Sequence, residues 1–582
     1  MRFRRKFLSI PFTAISVAVS ANQPPELSEL NRLDAIEQQR QRQYQQAQQK
    51  QLQQQADVRL ETSYQPLSLS NSESPCYPIH HISLSDYASH SPQSQFQWAL
   101  NKAVRDLKLT LPHCFGGEGL GILMKQVQNN IIEKGYVTTR VVIEEQDLRG
   151  GKLNLTVILG KIRNTIVVDS GIVPRFTRLH ALTGFTFAKG DLLNVRDIEH
   201  TLENLKRVPT AEASIEILPS ETDSASIGES DLKINYAQGI PFRLNLGLDD
   251  AGSTSTGKYQ VSGIFSFDNM FSANDLFYTS FTHSLKTHND DKGKRAGKNL
   301  TFYYSIPFGY WTLSASQTYH RYHQEVFTDF DNHYRYAGKS NTTRATLSYL
   351  LYRDGKRKTS ISGGFWSRQS QNYVNGTEVD IQKRRMAGWE VGFSHKEYIG
   401  NATLELSAGY KRGTGVRGTL SAPEELWNEG TSRPRIITAA IDFTQPFMLG
   451  KQPWQFSSAW SGQWNKTPLI PQDRFSIGGR YTVRGFDGEL TLLGERGWLW
   501  RNELAWNVNN LGHQLYVALD GGRVMGGAAR HQLGHHLVGS ALGLRGNVKS
   551  LSYDVFVGKP IRKPDGFKTS NAVAGFDLSY HF

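Results

Sequence analysis

Between Asn465 and Gly497 the chain reads NKTPLIPQDRFSIGGRYTVRGFDGELTLLGERG. The segments on either side of this stretch decide the fold. Before it, Trp454, Phe456, Trp460 and Trp464 recur at even spacings, and after it Trp498, Trp500, Leu504 and Trp506 do the same, with small or polar residues between them. A period of two marks a β-strand with one apolar face. The stretch is far longer than a hairpin needs, and connections of that length in compact folds are functional or disordered. At its centre, Gly479-Arg480-Tyr481-Thr482-Val483-Arg484-Gly485-Phe486 sets an arginine between glycines and aromatics, which argues for an ordered loop.

Working outward, the same alternation recurs from residue 240 to the end. Sixteen segments begin near Phe242, Lys258, Leu276, Leu300, Trp311, Thr342, Thr359, Met386, Ala402, Arg435, Trp454, Trp498, Gln514, His536, Leu551 and Val573. Connections after even-numbered segments are short, as at Asp354-Gly355, whereas most of those after odd-numbered ones are long and polar. Short turns on one side and long loops on the other are expected of an outer-membrane β-barrel. An even number of strands returns the chain to the side on which it entered. Hydropathy agrees: 38% of the 582 residues are hydrophobic and the mean hydropathy is −0.46, with no run long enough for a membrane helix. Barrel strands hide their apolar band from such averages. The aromatic content, 24 Tyr, 29 Phe and 11 Trp, together with 53 Gly, favours a β-rich barrel over a soluble β-sandwich.

The amino terminus sets the compartment. Arg2, Arg4, Arg5 and Lys6 precede an apolar stretch and Val19-Ser20-Ala21, the three parts of a secretory signal, so residues 1–21 read as a signal peptide. In the oxidising space beyond it, the two cysteines Cys76 and Cys114 read as a disulfide rather than a catalytic thiol. Residues 22–56 follow. After Pro24-Pro25 they contain neither proline nor glycine, and twelve of the eighteen positions 38–55 are glutamine, so they read as a long helix. Its apolar positions, Leu27, Leu30, Leu33 and Ile36, fade after the first turns. Such a helix is either a solvated tail or the filling of something polar and tube-shaped. A linker, 57–75, precedes two modules, 76–160 and 161–237, each patterned β-α-α-β-β. In the first, strands at 77–84, 137–143 and 152–159 flank helices at 95–109 and 120–134. In the second, strands at 162–168, 211–218 and 231–236 flank helices at 175–182 and 194–206.

These features resemble a known family. The repeated module in an exported chain is similar to POTRA domains, and Val483-Arg484-Gly485-Phe486 resembles the VRGY/F signature of the TpsB transporters of two-partner (type Vb) secretion, in the superfamily that includes BamA. The resemblance implies a sixteen-stranded outer-membrane barrel (238–582), two periplasmic POTRA domains, a helix that plugs the barrel at rest, and a sixth outer loop (465–497) folded inward. It further implies that Arg484 meets an acidic residue of a strand-thirteen motif F-x-D-x-G, here Asp520 with Gly522, where Ala518 replaces the aromatic. The implied partner is a secreted TpsA protein: a haemolysin, an adhesin or a contact-dependent inhibition toxin. The terminal Phe576, Leu578, Tyr580 and Phe582 resemble the signal read by the barrel-assembly machinery. A monomer in outer-membrane lipid, working without ATP or any cofactor, is expected.

Other motifs carry less. Gly252-Ser253-Thr254-Ser255-Thr256-Gly257-Lys258 nearly spells a phosphate-binding loop, but Tyr259 replaces the required hydroxyl and a strand follows instead of a helix. It resembles instead the first outer hairpin of TpsB barrels. His531, His535 and His536 stand before a strand rather than on a helix, so no metal site is expected, and no G-x-S-x-G or H-E-x-x-H motif supports an enzyme. The formal charge of +13 is scattered over polar loops with no helix-turn-helix or zinc-finger spacing, which argues against nucleic acid. The alternatives are a BamA-like insertase, with more POTRA copies expected, and a diffusion porin, which would lack both the modules and the loop motif.

Overall fold

A computed structural model of the chain describes residues 27–52, 57–60, 67–69, 73–172, 175–220, 226–286, 294–328, 332–508 and 512–582. The signal peptide expected at 1–21, Pro24-Pro25 and parts of the 57–75 linker lie outside the described residues. The alternating segments close into a sixteen-stranded antiparallel barrel. Strand one is Phe242–Asp249 and strand sixteen is Val573–His581. They meet over Asp249–Asp577 to Asn245–His581. The wall is lopsided: strands five and six, Trp311–Thr328 and Asn332–Arg353, have 18 and 22 residues, whereas strand one has 8.

The period of two sorts the wall into faces. In strand thirteen, His513–Met525, the residues Tyr516, Ala518, Asp520, Gly522 and Val524 are buried inward while Val517 and Leu519 are exposed outward. The greasy face of strands eleven (Gln452–Asn465) and twelve (Arg496–Val508) also points outward, with Trp460 opposite Trp500 and Trp454 opposite Trp506. Apolar side chains that no core covers are expected where the solvent is lipid. Strand eleven runs through Asn465 and strand twelve begins at Arg496, so the sixth loop spans 466–495, slightly less than the expected 465–497.

The first module holds helices α1 (Gln97–Asp106) and α2 (Gly117–Glu133) against a sheet in which His81–Asp86 and Arg140–Val142 flank the central strand Lys152–Ile158. Leu84, Ala99, Phe115, Leu123, Val127 and Leu155 share its core. Gly135, at φ 102°, turns the chain after the second helix. The expected strand 77–84 is in fact two, because Tyr77–Ile79 leaves the sheet to pair with His113–Phe115, a strand the sequence pattern does not signal. The Cys76–Cys114 disulfide staples this ribbon. The second module places α3 (Arg178–Gly184) and α4 (Val195–Leu205) on a sheet with Glu229–Gln238 between Lys161–Asp169 and Ala211–Pro219.

The second module is seated on the short turns of the barrel. Val208, Ala211 and Tyr236 pack against Leu276 and Tyr278 of strand three (Leu276–Ser284) and Tyr303 of strand four (Ala296–Phe308). Asn204 donates to the Gly309 carbonyl at 3.0 Å, and Asn274 donates to the His180 carbonyl at 2.9 Å. The short turns therefore face the modules and the long loops face away.

One further helix, α0 (Leu27–Leu52), precedes all of these and runs through the barrel. Its 26 residues span about 39 Å at about 1.5 Å per residue.

Candidate functional site

Loop 466–495 folds back into the lumen. Its limbs, Phe475–Ile477 and Leu492–Gly494, pair with each other as a short antiparallel ribbon, and the tip is held by Thr482, whose hydroxyl accepts from the Gly478 and Gly479 amides at 3.0 Å each. Val483 and Phe486 are buried with Ile477, Leu492, Leu499, Val524, Leu537 and Phe567. Phe486 meets Phe567 edge-on at 5.9 Å.

This apolar seat brings Arg484 to the wall. Its Nε lies 2.7 Å from Asp520 Oδ2 and its Nη2 lies 2.9 Å from Asp520 Oδ1, and its own backbone N–H donates to the same carboxylate at 3.0 Å. The fork is a charge-assisted, directional contact. Asp520 is 1% exposed. Two partners escaped sequence reasoning: Glu503 of strand twelve accepts from Arg484 Nη1 at 2.5 Å, and Arg545 binds the other Glu503 oxygen at 2.7 Å. Nothing but their inward register marks these positions.

The close approach depends on glycine. A Cβ on Gly539 of strand fourteen (His536–Val548) would sit 2.0 Å from the Arg484 carbonyl oxygen, and one on Gly558 of strand fifteen (Leu551–Arg562) would sit 2.7 Å from Gly485 Cα. Gly485 itself has φ 100°, a conformation costly for other residues. Gly522 faces Ile477, whose Cγ2 would be 3.0 Å from an added Cβ. Ala518, at the aromatic position of the motif, is buried among Ala505, Tyr516, Ala541 and Phe556, and Tyr516 supplies an aromatic two residues earlier.

A second ion pair holds the root of the loop to the wall at strands seven (Arg357–Val374) and nine (Ala402–Thr414). Asp473 receives both Arg368 Nη1 and Nη2 at 3.0 Å, with Lys411 at 3.6 Å. The loop is thus tied by an arginine at its tip and by a carboxylate at its base. The near-phosphate-loop sequence becomes a clasp over it: Thr254 donates through its N–H and hydroxyl to Glu489, each at 2.8 Å, and Asp250 accepts from Arg480 at 2.9 Å.

Helix α0 lies between this loop and the wall. Asp34 accepts from Tyr322 and Gln472, each at 2.8 Å. The Leu30 carbonyl accepts from Tyr336 at 3.2 Å, and Gln45 donates to Asn299 at 3.0 Å. Gln43 reaches Ser476 and Arg40 reaches the Gly488 carbonyl, both at 3.0 Å. Tyr44 meets Tyr481 edge-on at 6.0 Å. Aliphatic burial is confined to the first half, where Leu30 touches Tyr322 and Tyr336 and Ala35 and Ile36 touch Leu493. Asn31 accepts from Gln382, in a long loop, so the start of the helix faces the long-loop mouth and its end faces the modules.

The chain leaving α0 is clamped between the second module and the barrel turns. Arg353, closing strand six, donates to Glu199 at 3.0 Å and Glu203 at 2.6 Å, and those carboxylates accept the amides of Leu60 at 2.7 Å and Val58 at 3.0 Å. Asp57 binds Lys396 at 2.9 Å and also meets Lys358 and Tyr398. Burial raises the Glu203 carboxyl, but hydrogen bonds from His200 and Arg353 and the charges of Arg353 and Lys358 outweigh it and bring it down to about 2. Burial also drives His180 down to about 4, against a smaller upward pull from Asp169. His531 and His535 lie in the loop before strand fourteen and His536 opens that strand; among the described residues no group of three or more candidate metal ligands is present.

The comparisons agree with this architecture. Residues 228–546 match the model of the haemolysin secretion/activation protein ShlB/FhaC/HecB, residues 78–160 match the ShlB-type POTRA domain, and residues 169–219 match a POTRA domain. Outer membrane transporter CdiB-2 of Burkholderia pseudomallei is 31% identical over 526 residues, covering 88% of this chain and 87% of that protein. Outer membrane transporter CdiB of Dickeya dadantii is 29% identical over 99% of this chain and 98% of its own length. The solved structure of CdiB from Acinetobacter baumannii superposes with a TM-score of 0.83 at 31% identity, covering 96% of this chain and 100% of that one. With its barrel in the outer membrane and its two modules in the periplasm, the chain belongs to the ShlB/FhaC/HecB family of haemolysin secretion/activation proteins, the TpsB transporters.

Proposed function

We propose that the protein captures a secreted TpsA protein, a haemolysin, an adhesin or a contact-dependent inhibition toxin, on its periplasmic modules and passes it through the barrel without nucleotide. The observation that carries this reading is the chemistry of α0. Its contacts with the wall and the loop are polar: hydrogen bonds from glutamine, asparagine and tyrosine, each contributing a net of about 0.5–1.5 kcal/mol because water replaces them on release, beside charged contacts of Asp34, Glu37 and Arg42, the last 3.8 Å from Asp473. Little apolar area is lost when such a helix leaves, and the surface it uncovers is already polar. Loop 466–495 stays behind on its two ion pairs and shapes the passage. Capture uses the free sheet edges: Lys161–Asp169 is an edge strand that exposes Ile166 and Val168, and an extended polypeptide can add to such an edge. Folding of the cargo outside then biases its movement, since a folded segment cannot re-enter.

The test is planar-bilayer conductance with and without residues 27–52, together with a reading of the neighbouring reading frames for a long exported protein and an assay of its export by this chain. Conductance should rise on deletion, and unchanged conductance refutes the plug. A lone locus, or a neighbouring exoprotein that fails to leave cells carrying the intact chain, counts against the cargo assignment.

A further inference from the structure

The outward face of strands nine to twelve carries a row of cations at its long-loop end. Strand nine is Ala402–Thr414 and strand ten is Arg435–Leu449. Arg412 is paired directly with Arg435 across these strands. The Lys466 amide continues the ladder by donating to the Arg435 carbonyl at 2.8 Å, and Arg496 opens strand twelve with its Nε 2.7 Å from Asn465 Oδ1. All four side chains are exposed, and among the described residues none of them forms an ion pair. The acidic groups nearby are engaged elsewhere: Glu495 accepts the Gly527 amide at 2.9 Å, Glu424 binds Arg384 at 2.6 Å and Glu425 accepts the Ser432 amide at 2.8 Å.

Like charges placed directly opposite on adjacent strands destabilise a sheet, so the row is a standing cost unless an anion sits on it. Two residues toward the membrane centre, on the same outward face, each cation is followed by an apolar or aromatic residue: Tyr410, Ile437, Trp464 and Trp498. Ile437 and Trp464 are themselves cross-strand partners. Together with Asn465, Lys466 and Arg496 they line a concavity of about 370 Å³. Aromatic residues mark the membrane–water interface of barrels, where a cation on the lipid face costs least. The concavity therefore has an apolar floor at acyl-chain depth and a cationic rim at headgroup depth.

We propose that this concavity binds the phosphorylated headgroup of an outer-leaflet glycolipid, with Lys466, Arg496 and Arg435 on phosphate oxygens and Ile437 and Trp464 against the first acyl chain. Guanidinium and ammonium groups supply charge-assisted hydrogen bonds of the required geometry. Lys466 and Arg496 stand at the two feet of loop 466–495, so one phosphate spans its entry and exit. The lipid thereby fastens the feet from outside the wall while Arg484 and Asp473 fasten the loop from inside it. The assignment needs only the barrel and its membrane, and does not depend on what is exported.

The experiment is native mass spectrometry of the full chain in neutral detergent, titrated with diphosphorylated lipid A, with dephosphorylated lipid A, or with inorganic phosphate. The wild-type chain should retain the diphosphorylated lipid at least tenfold better than the dephosphorylated one, and inorganic phosphate should leave no adduct. The combined Arg435→Gln, Lys466→Gln and Arg496→Gln variant should lose that preference while still migrating as a folded, heat-modifiable barrel. Lys466→Arg alone should keep it. Equal retention of both lipids by the wild type, undiminished preference in the triple variant, or an inorganic phosphate adduct as strong as the lipid's would each overturn the site. Should the triple variant fail to assemble, the same three-ligand titration of the wild-type chain decides the question.

Discussion

Truncation of Arg484 to alanine isolates the contact that pins the inward loop. In the folded protein Asp520 is 1% exposed and takes three hydrogen bonds from residue 484, two of them from the guanidinium. After truncation the nearest described cation is Arg501, at 3.8 Å. A buried carboxylate stripped of its partner costs about 3–5 kcal/mol. The retained amide bond from residue 484 favours the lower end, about 3 kcal/mol, or roughly a hundredfold in the ratio of docked to undocked loop at about 1.4 kcal/mol per decade. Hydrogen exchange of amides 478–488 in the purified barrel reads that ratio directly. Arg484→Ala should accelerate exchange by about that factor and lower export while leaving heat-modifiable folding intact. Asp520→Asn should do less, because Arg484 retains Glu503 at 2.5 Å. Unchanged protection in Arg484→Ala, or a larger effect from Asp520→Asn, would refute the reasoning.

The root of the loop gives a parallel expectation: Arg368→Gln leaves Asp473 with Lys411 at 3.6 Å and Arg42 of α0 at 3.8 Å and should raise protease sensitivity within 466–474, with Asp473→Asn partly restoring resistance in the double variant. The second POTRA domain should lose stability as pH falls from about 6.5 to about 4, because His180 has its folded-state value lowered to about 4 and the unfolded chain binds the extra proton in that window. Its stability is complete above the window, and replacing His180 with glutamine should flatten the slope seen by pulse proteolysis. Replacing Cys76 and Cys114 with serine opens a loop of sequence separation 38 and should destabilise the first POTRA domain by about 3–4 kcal/mol in urea titration, with export retained below its new midpoint.

Much of the barrel was legible because lipid and lumen impose opposite demands on alternate residues. Trp454, Trp460, Trp500 and Trp506 announce an outward face by spacing alone, and their register follows. Strand ends were harder to read: Asn332 begins strand six well before the expected Thr342, because beyond the membrane a strand needs no apolar alternation. The His113–Phe115 strand is three residues long and follows Pro112, too short for any periodic signal. Arg484 and Asp520 stand in motifs, whereas Arg368 and Asp473 are 105 positions apart and stand in none. Gly539 and Gly558 are visible as glycines in strands, but only the fitted loop shows what they leave room for. The polarity of α0 limited it to water or a polar tube, and its hydrogen bonds to Tyr322 and Tyr336 decide for the tube.

The clamp on Asp57 to Leu60 has a consequence for timing. On the proposed reading of α0 as a plug, a helix that withdraws toward the periplasm remains on a leash, held where Arg353 and Glu203 grip the chain just beyond it. Its return is then a unimolecular search at a local concentration in the millimolar range for a short tether. Reclosure should therefore proceed at the same pace however many copies the membrane holds.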